Sequence, residues 1–147
     1  VAYCTQADVL ARLGSTALIE LTSDSGSSVV YAIVDDAIER AHAAMDADIG
    51  YRYAVPVDVT GDTSLAATLR ALALDLVDFF LHQRRGLVSG AKQKLYDHVK
   101  AWLADVRSGV HPLPAASGTP ASATADPPAI EVNSATRAAS RENMEDL

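Results

Sequence analysis

Asp75, Asp78 and His82 stand at i, i+3 and i+7. On a helix that spacing places all three on one side, where two carboxylates and an imidazole can supply half of a metal site. Glu39-Arg-Ala-His42 is a Glu-x-x-His match that could supply the other half. A carboxylate-bridged two-metal bundle needs two such motifs and further Glu ligands, and this chain has one copy. The plainer reading of Asp75, Asp78 and His82 is a polar strip facing a neighbouring helix or subunit, with an aspartate paired to Arg70, Arg84 or Arg85. For His42 and Asp46 the plainer reading is an exposed helical pair, worth roughly a few tenths of a kcal/mol.

Other chemistry finds less support. The chain has no Gly-x-Ser-x-Gly elbow, no Gly-rich phosphate loop and no His-Glu-x-x-His. Cys4 is the single cysteine, so neither an intramolecular disulfide nor a Cys-rich metal framework is available. It reads as a small residue near a chain end. Arg84, Arg85, Lys92, Lys94 and Lys100 form the clearest basic group. They read as a solvated face with helix-end charge, or as a contact to an acidic partner surface or to passing DNA. No catalytic residue, metal or cofactor is expected.

The 147 residues suit one domain. The hydrophobic fraction is 49%, enough for a core, but aromatics are only 5%. Such a core is built from thin helices packed closely. A net charge of −7 argues against a generic binder of DNA or anionic membranes, which needs clustered Lys and Arg. No segment approaches the roughly 20 apolar residues of a membrane span. The opening residues have neither a basic region nor an apolar run, so no leader is expected. A free thiol fits a reducing cytoplasm, or a particle assembled there.

The elements follow from apolar spacing and punctuation. Thr5 is an N-cap with Asp8 at the helix start, Gln6 to Leu13 is helical, and Gly14 closes it. Ser15 to Thr22 is a short extra helix. A long helix runs from Ser28 to Ile49, with Val30, Ile33, Val34, Ala37, Ile38, Ala41, Met45 and Ile49 on its apolar side. Val55, Val57 and Val59 alternate in a connection read as a loop, whose exposed backbone could pair with a neighbouring subunit. Ser64 caps the third main helix, which is apolar on more than one side and therefore central. Its last turn, Gln83-Arg-Arg-Gly86, sets two cations at the negative end of its dipole. Ser89 caps the fourth, whose buried stripe is Leu95, Val99, Trp102, Leu103 and Val106, and Gly109 stops it. Short connections make antiparallel neighbours. The fold class is all-α: a small antiparallel bundle of four main helices plus a short one, with a long extended C-terminal arm.

That arm divides in two. The bundle takes residues 1–109 and a Pro/Ala/Ser-rich linker takes 110–133; five of the six prolines lie beyond Gly109. A docking segment takes 134–147. Arg137, Arg141, Met144 and Leu147 recur at spacings of four, three and three, so one side of a short helix or docked segment carries all four. They are the candidate contacts to a portal protein or a neighbouring subunit.

The opening Ala2-Tyr-Cys-Thr-Gln-Ala-Asp-Val-Leu-Ala-Arg-Leu-Gly14, followed by Leu18-Ile-Glu-Leu-Thr22, resembles the start of the Mu-like phage head–tail joining family. The likeness continues through Val34-Asp-Asp-Ala-Ile-Glu-Arg-Ala41, Asp46-Ala-Asp-Ile-Gly-Tyr-Arg-Tyr-Ala-Val-Pro56 and Leu72-Ala-Leu-Asp-Leu76. Tyr96 to Leu103 is similar to a recurring Tyr-x-x-x-x-x-Trp-Leu pattern, and Ser140-Arg-Glu-Asn-Met144 to a terminal Ser-Arg-x-x-Met/Leu element. The chain departs from the family in a shorter, less acidic loop at Asp24 to Ser28. Its Met-Glu-Asp-Leu end lacks the usual Gly-aromatic finish.

The resemblance implies a non-enzymatic adaptor, or connector, in the virion at the head–tail junction, assembled in the host cytoplasm. It implies a homo-oligomeric ring, usually twelve-fold, under the portal protein. That ring docks a tail-terminator or tail-completion protein and lets DNA pass through its channel without specific binding. No membrane is involved. An alternative from the residues alone is a small DNA-binding or packaging helper using the Arg84 to Lys100 patch. A metal enzyme built on Asp75, Asp78 and His82 is a third.

Overall fold

The computed structural model describes residues 3–113. Among them there are five helices and no strand: α1 (Gln6–Leu13), α2 (Ser15–Thr22), α3 (Tyr31–Ile49), α4 (Thr63–Arg84) and α5 (Gly90–Ser108). The all-α expectation holds for these residues, including the short second helix. Residues 114–133 of the linker expected at 110–133, the docking segment 134–147 and its candidate contacts Arg137, Arg141, Met144 and Leu147 lie outside the described residues.

Helix starts follow local chemistry. Thr5 and Asp8 form a capping box on α1, and Ser89 caps α5 through the Lys92 amide. Two expected starts move. α3 begins at Tyr31, with Val30 at its N-cap, because Thr22 Oγ1 accepts the Val30 amide at 3.0 Å and holds the entering chain extended. α4 is capped by Asp62 and not by Ser64: the Asp62 carboxylate accepts the Leu65 amide at 2.8 Å. Ser64 sits inside the first turn, and its carbonyl accepts the Thr68 hydroxyl.

α4 is the centre. Leu65, Leu69, Leu72, Ala73, Leu76, Val77 and Leu81 are all buried, and α1, α2, α3 and α5 all pack on it. α1 runs parallel to α4, since Asp8 faces Arg70 and Arg12 pairs with Asp75 further along both helices. α5 runs antiparallel, with Lys92 on Asp78 at one end and Trp102 beside Leu65 at the other. The stripe expected on α5 keeps Val99, Leu103 and Val106 but loses Leu95, which is 41% exposed. Tyr96 takes the inward position at that turn and stacks on Phe79 with ring centroids 4.2 Å apart.

The chain stays on the bundle past the end of α5. Leu113 is buried, its amide donates to Tyr53 Oη at 3.0 Å, and His111 lies against Trp102. Gly109 makes the turn in the left-handed region, φ 86°. Arg52 packs into the same corner and donates to the carbonyls of Arg107 and Ser108. A Cβ at Gly109 would lie 2.6 Å from Arg52 Cζ. Gly109→Ala therefore carries both left-handed strain and a clash. It is expected to lower unfolding stability by about 2–3 kcal/mol, against about 1 kcal/mol for the same change in an Arg52→Ala background. Urea unfolding of the four-member cycle checks this; equal losses in both backgrounds would remove the Arg52 contact from the account.

Candidate assembly surfaces

The basic residues are best understood from their partners. Arg84 donates to the Leu21 carbonyl, and Arg85 to the carbonyls of Glu20 and Ser23. Both also pair with Asp24. These guanidinia were expected to serve the end of their own helix. They cap α2 instead, because α2 stops at Thr22 and leaves carbonyls facing α4. Lys92 pairs with Asp78 and Lys100 with Asp48, a carboxylate that Arg107 also approaches. Lys94 is exposed, and among the described residues it is the lysine with no carboxylate within ion-pair distance. Of the five residues of the sequence patch, Arg84 and Arg85 thus share Asp24, Lys92 and Lys100 each have another carboxylate, and Lys94 stands apart.

The strip on α4 divides in the same way. Asp75 belongs to Arg12. Asp78 is buried beside Lys92 and His82, not beside Arg70, Arg84 or Arg85. His82 Nδ1 lies 3.0 Å from Asp78 Oδ1 but 2.8 Å from the Asp78 carbonyl. One ring hydrogen serves one acceptor, and the shorter contact takes it. Asp78 Oδ1 is then buried without a hydrogen bond. Among the described residues no three His, Cys, Asp or Glu side chains meet as a metal site requires.

A third group forms where residues distant in sequence meet, and spacing could not have found it. Tyr3 Oη donates to Asp46 and accepts the Val57 amide at 3.2 Å. The backbone edge expected to be open at Val57 is therefore occupied. The Cys4 amide donates to His42 Nε2 at 3.3 Å, and Cys4 Sγ lies 3.8 Å from the same nitrogen. His42 and Asp46 are not an exposed pair: each receives a group from the first turn of the chain and fastens it to α3.

A thiol beside an imidazole invites a nucleophilic reading. The environment opposes it. Burial, then the charge of Asp8, pushes the Cys4 thiol up to about 11, and burial lowers the His42 imidazole below its usual value. Both groups are held neutral, the reverse of a thiolate–imidazolium pair. Cys4 is 1% exposed.

Two outcomes follow. Native protein should react with a disulfide reagent at least about a hundredfold more slowly than denatured protein; equal rates would show an accessible thiol. Unfolded His titrates at about 6.5 and folded His42 lower, so between those values the unfolded chain binds the extra proton. Stability should fall as pH drops through about 6.5, and His42→Gln should reduce that fall. Parallel urea titrations at pH 7.5 and 5.5 read the difference; an unchanged slope would discount His42.

No helix among the described residues is long and apolar enough to cross a membrane. No curated protein matches the chain. Residues 3–132 match the family described as Bacteriophage Mu, Gp36, a span that includes every described helix and stops short of Ser140 to Met144. With that match across most of its length, the chain belongs to the bacteriophage Mu Gp36 family.

Proposed function

We propose that this protein is a structural head–tail adaptor of a tailed phage. In this reading copies form a ring of about twelve under the portal, joined by heterologous contacts between unlike faces. The tail docks on the ring and DNA passes through its centre. The observation that carries the reading is membership of the Mu Gp36 family, which makes the chain a phage protein. The ordered motifs from Tyr3 to Leu103 that resemble head–tail joining proteins support the junction as its place.

The electrostatics support the same reading. The chain carries −7 overall, and Arg12, Arg84, Arg85, Lys92, Lys100 and Arg107 each pair with a carboxylate of the bundle. An acidic surface of this kind lets DNA slide past without binding. The same pairing weighs against the packaging-helper alternative, because a cation already paired releases little on meeting phosphate.

Deleting residues 134–147 should leave a folded bundle and block the joining of heads to tails. Normal particle yield from that truncation would defeat the arm's role. Virion mass analysis should find about twelve copies per particle. Filter binding to duplex DNA should be weak at physiological salt; tight binding with a steep salt slope would favour the helper.

A further inference from the structure

Tyr3 and Cys4 hold the first turn of the chain to α3 through two acceptors. The Cys4 amide donates to His42 Nε2 at 3.3 Å, and Tyr3 Oη donates to Asp46 while accepting the Val57 amide. Nε2 accepts only while it carries no proton, so the neutral imidazole keeps its hydrogen on Nδ1. A second proton goes to Nε2 and sets a donor against the Cys4 N–H, with the thiol sulfur 3.8 Å away. The same proton gives Asp46, one turn along α3, a cation to pair with. Asp46 is the acceptor that holds Tyr3. One protonation therefore weakens both fastenings.

We propose that Tyr3 and Cys4 form an acid-released clasp: a proton on His42 Nε2 lets the first turn leave α3 while the five helices stay folded. Burial opposes the charged imidazole, Asp46 and Glu39 on α3 favour it, and the charge at the amino end of the chain opposes it. Burial prevails and holds the closed imidazole below its ordinary value. The open form then takes the proton more readily, so acid draws the equilibrium toward it. From the elements packed around the clasp, Asp8 of α1 and Arg70 of α4 act on Cys4 with opposite signs. Hydrogen bonds from Thr5 hold the Asp8 carboxyl below the ordinary carboxylate range, so it keeps its charge where an imidazole titrates. Tyr3 and Cys4 are both pushed up, chiefly by burial, and stay protonated there. α1 does not depend on the clasp. Its capping box lies within its own first turn, Val9 is buried, and Arg12 pairs with Asp75. Release also takes the acceptor from the Val57 amide, so the opening extends into the connection before α4. It is a local opening that precedes global unfolding.

Cys4, the single cysteine and buried while the clasp is closed, reports the opening. A dipyridyl disulfide labels thiols in weak acid, and the urea-denatured chain gives the intrinsic labelling rate at each pH. Dividing by that rate removes the ordinary loss of thiolate in acid. The native-to-denatured ratio should rise at least about threefold from pH 7.5 to 5.5. It should also exceed the fraction that global unfolding supplies at the same pH, read from urea titration. His42→Gln keeps an acceptor but takes no proton, and its ratio should not change with pH. Tyr3→Phe removes the other fastening and should raise the ratio already at pH 7.5. Circular dichroism should show the same helix content throughout. A wild-type ratio flat with pH would overturn the clasp. So would a rise retained in His42→Gln, or labelling no faster than global unfolding permits.

Discussion

α4 buries a broad face. Leu69, Leu72, Ala73, Leu76, Val77 and Leu81 cover about half of its circumference and all are buried, and Asp78 and Phe79 extend the buried surface towards its C-terminal end, while Arg70 and Ala71 stay exposed. The other four helices pack on that broad face, and the bundle's layout follows from covering it. Polar groups on α4 must be met where they emerge. Asp75 is met by Arg12 at the rim, where an ion pair is worth about 0–1 kcal/mol and mainly sets the register of α1. Asp78 is different because it is buried. Lys92 neutralises it, and removing Lys92 would leave a charge in the core, which costs far more than a rim pair gains. The apolar faces supply the stability, while these pairs select which neighbour lies against which side.

The helix ends obey a second demand, that their last carbonyls find donors. The same solution appears twice. Arg84 and Arg85 of α4 reach the end of α2, and Arg52, just beyond α3, reaches the end of α5. In each case a planar fork serves more than one acceptor, which lysine does not reproduce. The Arg52 corner also fixes where the chain departs from the bundle. With Gly109 turning beneath the guanidinium and Leu113 held by Tyr53, the point from which the arm starts is part of the packed structure.

These ends mark the limit of what the sequence discloses. Local signals were legible: the Thr5–Asp8 capping box, Gly109 in its left-handed turn, and the many-sided apolar pattern that puts α4 in the centre. Each depends on neighbours within a turn or two. The partners of Arg84, Arg85 and Lys100 lie more than fifty positions away in the chain or across a helix interface, and nothing in local spacing selects Asp24 or Asp48. Leu95 misleads for a related reason. Leu95 and Tyr96 are both apolar, and only the stacking of Tyr96 on Phe79 decides which one turns inward. His42 looked exposed because the residues that cover it, Tyr3 and Cys4, come from the far end of the sequence.

Pairing also shapes the field outside the molecule. At physiological ionic strength the field of a charge falls off over about 8 Å, so a cation within ion-pair distance of a carboxylate is nearly invisible beyond that range. The charges that act at a distance are the unpaired ones. On α3, Asp36 and Glu39 are exposed, and among the described residues neither has a cation within ion-pair distance. At the α4–α5 turn Arg84, Arg85 and Lys92 are paired, and among the described residues Lys94 is the lysine with no carboxylate within ion-pair distance. In the proposed ring, the α3 surface with Asp36 and Glu39 suits the channel side, because unpaired acids repel passing phosphate.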